Sequence, residues 1–225
     1  MNIYDPIFPY KNLFITARPG MGASTLVANI VNKYLDQGKK CLVFDSETRA
    51  FSSHIDRSKV IREKTTIDKI RAFYLLEEYG NLTVTYCPII HKETLLDVIE
   101  KKDYDVIIYE DPVCGFSEFK YQTKELAELT KELREREKIF IFVTHLKRSR
   151  IPFMRIERNT LSNSRHRKAI PCFDASAIVY RNGYYEDMGE IDKDIEEIRL
   201  YERDRKKYRT VSVDFDFPHQ SVKLK

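Results

Sequence analysis

A glycine-rich turn between an apolar strand and a helix is the feature of this 225-residue sequence that most directly suggests chemistry. The segment reads Ala17-Arg18-Pro19-Gly20-Met21-Gly22-Ala23-Ser24-Thr25. Backbone N–H groups in such a turn and at the start of the following helix can surround a phosphate, and a serine hydroxyl there can ligate Mg²⁺. The pattern therefore predicts a phosphate-binding loop that spans Arg18 to Thr25, with Ser24 at a magnesium ion.

This loop departs from the common G-x-x-x-x-G-K-[ST] pattern at two positions. Ala17 stands in place of the first glycine, and Ala23 stands in place of the lysine that reaches the outer phosphates. Losing one electrostatic partner of a transferred phosphoryl group commonly slows the reaction on the order of 100- to 1,000-fold. We therefore expect ATP to bind and to be hydrolysed slowly. Ala23 fits either a natural variant that has given up fast hydrolysis or a deliberate replacement that traps a state.

Acidic residues follow two of the apolar strands. Val106–Tyr109 is followed by Glu110 and Asp111, and an acid at this position can hold Mg²⁺ directly or through water. Either acid could hold the metal. The strand that begins at Cys41 ends in Phe44-Asp45-Ser46-Glu47, where a carboxylate beside the phosphates could orient and deprotonate water. We predict Glu47 as this general base, with Asp45 as the second choice.

The motif R-P-G-M-G-x-S, followed about 20 residues later by V-F-D-S-E, resembles the ATPase domain of the DnaB-like replicative helicases. The resemblance extends from about Leu13 to Phe217 and keeps the order of the family's motifs. It implies a RecA-like fold, ATP and Mg²⁺ as ligands, and Glu47 as the residue that activates water. Glu110 takes the position of the family's metal-binding aspartate, which is a departure from the family pattern.

Three further catalytic residues are implied by the same resemblance. His145 follows a buried strand at the position of a polar sensor, usually glutamine, that contacts the terminal phosphate. Arg203 and Arg205 resemble a basic pair that reaches into the nucleotide of the neighbouring subunit, although they are one residue out of frame with the following strand. An arginine supplied in trans stabilises charge on the transferred group and makes hydrolysis depend on assembly.

A basic block lies between Lys147 and Lys168, with eight basic residues and one acidic residue. DnaB-like proteins place loops that face the DNA channel in this region. Phosphate contacts from a flexible basic loop would give salt-dependent binding to a single strand with little sequence preference. The predicted DNA contacts are Lys147, Arg148, Arg165, Arg167 and Lys168.

The elements that must position these residues alternate between strand and helix, which predicts an α/β fold with a mostly parallel sheet covered by helices on both faces. The apolar pattern predicts strands at Leu13–Ala17, Cys41–Phe44, Leu82–Tyr86, Val106–Tyr109 and Ile139–Thr144, and helices at Ser24–Gln37, Thr65–Tyr79, Lys92–Lys102 and Thr123–Glu137. After Ala177 the strands have no long helices between them, so we expect antiparallel strands near the C-terminus. We expect residues 1–225 to form a single domain.

Composition restricts the class of protein. The net charge is +4, hydrophobic residues make up 42% of the chain, and no apolar run approaches the roughly 20 residues of a membrane helix. The four cysteines have no C-x-x-C spacing, which argues against zinc and disulfide frameworks and fits a reducing cytoplasm.

These observations support three functions. The first is an ATP-driven motor on single-stranded DNA, working as a homo-oligomer such as a hexameric ring. The second is a non-motor ATP switch, namely a helicase loader, recombination accessory or regulatory ATPase that binds DNA or a replication or recombination protein. The third is a degenerate RecA-like domain that serves as a protein-binding module.

Overall fold

The computed structural model describes residues 10–18, 21–45, 75–86, 92–110, 123–146, 161, 164, 166–181, 196–203, 207–216 and 221–224. The strands within these residues are β1 (Asn12–Ala17), β2 (Cys41–Asp45), β3 (Leu75–Tyr79), β4 (Leu82–Tyr86), β5 (Val106–Glu110), β6 (Ile139–His145), β7 (Ala175–Arg181), β8 (Glu196–Glu202), β9 (Lys207–Asp216) and β10 (Ser221–Leu224). The helices are α1 (Ala23–Asp36), α2 (Lys92–Lys102), α3 (Thr123–Glu135) and a 3₁₀-helix (Arg167–Cys172).

The described strands form one sheet in the order β10-β9-β8-β7-β1-β6-β5-β2-β4-β3. The six central strands from β7 to β4 are parallel to one another. The pairs β7–β8, β8–β9 and β9–β10 are antiparallel, as predicted for the C-terminal part of the chain. Because the carboxyl ends of parallel strands meet at one edge, the last residues of β1, β2, β5 and β6 lie at that edge of the sheet.

Helices cover both faces of the central sheet, and this prediction is confirmed. Alternate residues of each strand enter two separate cores, as the side-chain period of two requires. In β1, Leu13 and Ile15 pack on the side of α1, whereas Phe14 packs on the side of α2 and α3. The central strands are mostly apolar because they are buried on both faces.

The helix α1 follows the glycine turn and buries one apolar stripe against the sheet. Leu26, Ile30, Val31 and Tyr34 lie on this stripe at helical spacing. The helix ends before Gly38, whose φ of +75° is the left-handed conformation that glycine adopts without strain. Burial raises the pKa of the Tyr34 hydroxyl to about 12, so this phenol stays neutral.

The predicted helix Thr65–Tyr79 is wrong at its C-terminal end. Leu75–Tyr79 forms the edge strand β3, which pairs antiparallel with β4, and residues 65–74 lie outside the described part of the chain. The spacing of Leu75, Leu76 and Tyr79 suits a helical face, but the next two residues are Gly80 and Asn81. This pair forms the two-residue turn of a β-hairpin, with Gly80 at a φ of +58°. A Gly-Asn pair between two short apolar runs is a hairpin signal that outweighs the helical spacing.

Two of the four cysteines fall within the described residues, and neither is in a disulfide. Cys41 is buried at the start of β2, and burial raises the pKa of its thiol to about 12. The thiol is therefore neutral and unreactive.

Candidate nucleotide site

The glycine turn joins the end of β1 to the start of α1 at the carboxyl edge of the sheet. Ala17 pairs with His145 of β6 on one side and with Val179 of β7 on the other. The N–H of Met21 donates to the Arg18 carbonyl at 3.2 Å, which tightens the turn. Gly22 is the N-cap of α1 and offers no side-chain cap, and the first turn carries no acidic residue. The first N–H groups of α1 therefore lack a side-chain acceptor, and an anion could fill that place.

Gly22 is required for two independent reasons. Its φ is +89°, a left-handed conformation that is strained for other residues. In addition, a Cβ on Gly22 would lie 2.8 Å from the ring of Phe215, which belongs to β9. The ring of Phe215, almost 200 residues later in the sequence, thus lies against the loop at Gly22. No local sequence pattern could have indicated this contact.

We expect Gly22→Ala to lower the free energy of unfolding by about 2 kcal/mol or more, because strain and the contact with Phe215 add together. A loss of this size should reduce Tm by several degrees, at about 2–4 °C for each kcal/mol in a chain of this length. Gly38→Ala is the matched control, since Gly38 has a similar φ of +75° and nothing lies within 4 Å of a Cβ there. Differential scanning calorimetry would compare the two. Equal losses would mean that Phe215 does not hold the loop.

Ser24 and Glu110 meet at the mouth of the loop, although 86 residues separate them in sequence. The Ser24 hydroxyl donates a hydrogen bond to Oε1 of Glu110 at 2.8 Å. Glu110 is the last residue of β5 and is only 7% exposed. A hydroxyl and a carboxylate oxygen held this close are hard oxygen donors of the kind that Mg²⁺ prefers. Of the two predicted metal ligands after β5, Glu110 is the one that the described structure places beside Ser24, and Asp111 lies outside the described residues.

These donors fit a magnesium ion shared with a bound phosphate. Among the described residues there is no group of three or more His, Cys, Asp or Glu side chains that could hold a metal ion. Magnesium commonly takes one or two protein ligands, several waters and phosphate oxygens rather than a complete protein cage. The pair formed by Ser24 and Glu110 therefore suits Mg²⁺ with a phosphorylated ligand better than a structural metal.

Ala23 is the first residue of α1 and is 5% exposed. Its methyl group belongs to the core cluster on the α1 side of the sheet. The loop therefore presents backbone N–H groups and the Ser24 hydroxyl, but no cationic side chain from position 23.

His145 ends β6 directly beside the loop. It pairs with Ala17, and the N–H of the next residue, Leu146, donates to the Ala17 carbonyl at 2.9 Å. The imidazole is 8% exposed. The structure thus brings His145 to the same edge of the sheet as Ser24 and Glu110.

Arg203 and the phosphate loop of the same chain lie at opposite edges of the sheet. β8 runs antiparallel to β7, so Glu202 pairs with Ala175 at the start of β7, whereas Ala17 pairs with Val179 near its end. Four residue steps along a strand separate these two edges by roughly 13 Å. The guanidinium of Arg203 donates to the Pro171 carbonyl at 3.3 Å and lies 3.8 Å from Oδ1 of Asp174. In this chain Arg203 therefore takes no part in the site formed by Ser24 and Glu110.

The basic segment differs in part from the predicted flexible loop. Ser164 and His166 are buried, and Leu146 forms an isolated bridge with Ser164. Arg167 and Lys168 are exposed at the start of the 3₁₀-helix. This end of the segment is ordered because Ala169 and Phe173 pack in the core below α3. The remaining predicted site residues lie outside the described part of the chain: Pro19, Gly20, Glu47, Asp111, Lys147, Arg148, Arg165 and Arg205.

Three solved structures that are similar to this chain are distant from it in sequence. A solved ATPase domain superposes with a TM-score of 0.66 at 16% identity, covering 96% of this chain and 85% of that one. The chain has a RecA-like α/β fold. A DnaB-like replicative helicase, described with its interactions with primase, superposes with a TM-score of 0.64 at 16% identity. The match covers 94% of this chain and 57% of that one. A KaiC-like protein from the archaeon Pyrococcus horikoshii superposes with a TM-score of 0.61 at 11% identity. The match covers 97% of this chain and 91% of that one.

The other comparisons define no family. No protein-family model and no curated protein matches the sequence. The predicted RecA-like fold is therefore confirmed, and identities of 11–16% show similarity of fold alone. Within the described residues, no helix is both long and apolar enough to cross a membrane.

Proposed function

We propose that this chain is an ATP-binding domain of the DnaB-helicase type that takes Mg-ATP at the loop from Arg18 to Thr25 and acts on single-stranded DNA. The observation that carries the proposal is the hydrogen bond from Ser24 to Glu110 at the carboxyl edge of a RecA-like sheet. It joins the hydroxyl of a phosphate loop to the acid of a neighbouring buried strand, which are the two protein groups needed on one magnesium ion.

Backbone groups supply most of the phosphate contacts in this proposal. The uncapped N-terminus of α1 attracts the phosphates through its N–H groups and its dipole. Ser24 and Glu110 would hold a magnesium ion, which would neutralise part of the charge of the phosphates. Glu47 orients and deprotonates the attacking water, and His145 donates a hydrogen bond to the terminal phosphate. Ala23 provides no charge, so turnover is slow.

Assembly completes the site. Because Arg203 lies at the edge opposite its own loop, it can act on a nucleotide only from another copy of the chain. We therefore propose a homo-oligomer, with a hexameric ring as one form, in which Arg203 and Arg205 approach the neighbour's nucleotide. To act in this way, Arg203 must exchange its contacts with Pro171 and Asp174 for phosphate oxygens. The proposed compartment is the cytoplasm.

A non-motor ATP switch is the second candidate, and Ala23 is the observation that favours it. A domain that binds Mg-ATP and hydrolyses it slowly suits a helicase loader, a recombination accessory or a regulatory ATPase, which changes its DNA or protein partner with nucleotide state. A motor should oligomerise with ATP and single-stranded DNA and should unwind a duplex when the loop lysine is present. A switch should bind nucleotide and partner without unwinding.

The metal site can be tested without any turnover. We expect Glu110→Gln to weaken the magnesium-dependent part of ATP binding by at least about 10-fold, because the amide removes the negative charge that faces the metal. Binding of a fluorescent ATP analogue in Mg²⁺ and in EDTA would measure this part. Asp111→Asn is the matched variant. A large effect of Asp111→Asn with none for Glu110→Gln would show that Asp111, and not Glu110, holds the metal. ATP binding by the parent protein that does not depend on magnesium would contradict the site.

A further inference from the structure

A cavity of about 110 Å³ opens on the sheet face that α1 does not cover, near the start of β7. Its walls come from the 3₁₀-helix, from β7 and from the end of β8, and include Pro171, Phe173, Ser176, Tyr201 and Arg203. Drug-sized ligands occupy roughly 300 Å³ or more, so this cavity has room for one ring-sized group. It lies at the edge opposite the phosphate loop and is therefore a separate site.

The cavity contains a buried hydroxyl that lacks a hydrogen-bond partner. Ser176 is 1% exposed, and its Oγ has no partner among the residues that the structure describes. Ser176 lines the cavity directly opposite Tyr201 in the register of β7 and β8. An unsatisfied buried hydroxyl is unfavourable, so a ligand with a polar edge would gain a hydrogen bond there.

Two tyrosines extend the cavity into an aromatic surface whose two rings are tilted by 43° to each other. Tyr201 of β8 and Tyr208 of β9 are register partners, and their ring centroids are 4.8 Å apart. Tyr208 is 66% exposed, and among the described residues no other large hydrophobic side chain is exposed. Ile198 and Leu200 of β8 pack on the α1 side, so Tyr201 points to the other face. Among the described residues, no member of the core below α2 and α3 lies on β8 or β9.

Basic residues lie on the elements beside the cavity, and one of them, Arg203, lines it. Arg134 and Arg203 share the carboxylate of Asp174, at 2.7 Å and 3.8 Å, so two guanidinium groups face this one acid. Arg167 and Lys168 are exposed at the start of the same 3₁₀-helix whose Pro171 lines the cavity. An aromatic surface next to arginines matches a base and its phosphate better than an uncharged ligand.

We propose that this surface binds single-stranded nucleic acid, with one base in the cavity against Tyr201 beside Ser176, the next base on Tyr208, and the backbone phosphates along Arg167 and Lys168. The strand is preferred to a free mononucleotide because the exposed Tyr208 continues the stacking surface beyond the cavity. The inference deepens the proposed action on single-stranded DNA, since it states which surface of the chain the strand contacts. Base stacking explains binding that tolerates any sequence, and the Ser176 hydroxyl adds one polar contact.

Fluorescence anisotropy of labelled oligothymidylate with the 225-residue chain tests the proposal. Tyr201→Ala and Tyr208→Ala should each raise Kd about 5- to 100-fold, and Tyr201→Phe and Tyr208→Phe should restore binding because the ring is kept. Ser212→Ala, on the same exposed face of β9, is the control and should leave Kd unchanged. The dependence of the binding constant on salt concentration separates base stacking from phosphate contacts. The tyrosine variants should keep the parent slope of log K against log salt, whereas Arg167→Ala should reduce it by about 0.7.

Each contrary result has a distinct meaning. If the tyrosine variants bind like the parent while Arg167→Ala and Lys168→Ala weaken binding, the strand passes elsewhere and the inference is wrong, but the proposed DNA binding stands. Unlabelled dTMP and unlabelled oligonucleotide can be compared as competitors of the labelled strand at equal concentrations of nucleotide. If dTMP displaces the labelled strand equally well, the cavity takes a free nucleotide instead of a strand. If Tyr208→Ala dissociates an oligomer in the absence of DNA, the surface is a contact between copies. A parent chain that binds no oligonucleotide at low salt overturns both this inference and the proposed action on DNA.

Discussion

Ala23→Lys should raise the rate of ATP hydrolysis about 100- to 1,000-fold in the presence of single-stranded DNA. The lysine would place a positive charge on the outer phosphates, which is the electrostatic contribution that the loop lacks. Ala23→Met is the matched control, because methionine adds a similar length without the charge. Steady-state phosphate release would measure both variants against the parent chain.

Position 23 also requires a stability control. Ala23 is almost completely buried at the start of α1, so a longer side chain must leave the core cluster. Thermal unfolding of Ala23→Lys and Ala23→Met would show whether both fold. If Ala23→Lys folds, binds Mg-ATP and hydrolyses no faster than Ala23→Met, then the missing charge does not limit turnover, and the switch becomes the better proposal.

Glu47→Gln in the Ala23→Lys background should reduce hydrolysis about 100- to 10,000-fold and leave Mg-ATP binding within a factor of a few. The amide keeps the shape of the side chain but cannot accept the proton of the attacking water. Asp45→Asn in the same background is the comparison, since Asp45 is the other acid near the end of β2. Single-turnover kinetics would separate the chemical step from binding. Full activity of Glu47→Gln with loss in Asp45→Asn would exchange the two roles.

Local patterns were sufficient to predict the central elements of the fold. The helix Lys92–Lys102 has the predicted bounds, and the buried strands after it begin at the predicted Val106 and Ile139. These elements combine long apolar periodicity with clear ends, so propensity and packing favour the same structure. The hairpin of β3 and β4 was missed because helical spacing was given more weight than the turn at Gly80 and Asn81.

Contacts between distant segments could not be predicted from local patterns. The ring of Phe215 against Gly22 and the hydrogen bond from Ser24 to Glu110 depend on how β9 and β5 are ordered in the sheet. The sequence indicated that Ser24 and an acid after β5 would meet, but left Glu110 and Asp111 as alternatives. The aromatic pair Tyr201 and Tyr208 was also missed, although both residues stand in strands, because only the register shows that the rings are adjacent.

Isothermal titration calorimetry of the unmodified chain with Mg-ATP tests the central claim most directly. We predict saturable binding of one nucleotide per chain, weakened by EDTA and by Ser24→Ala, because the loop backbone, Ser24 and Glu110 hold the nucleotide together. Failure of the folded chain to bind Mg-ATP, with or without single-stranded DNA, would contradict the account and would favour a RecA-like domain that serves as a protein-binding module.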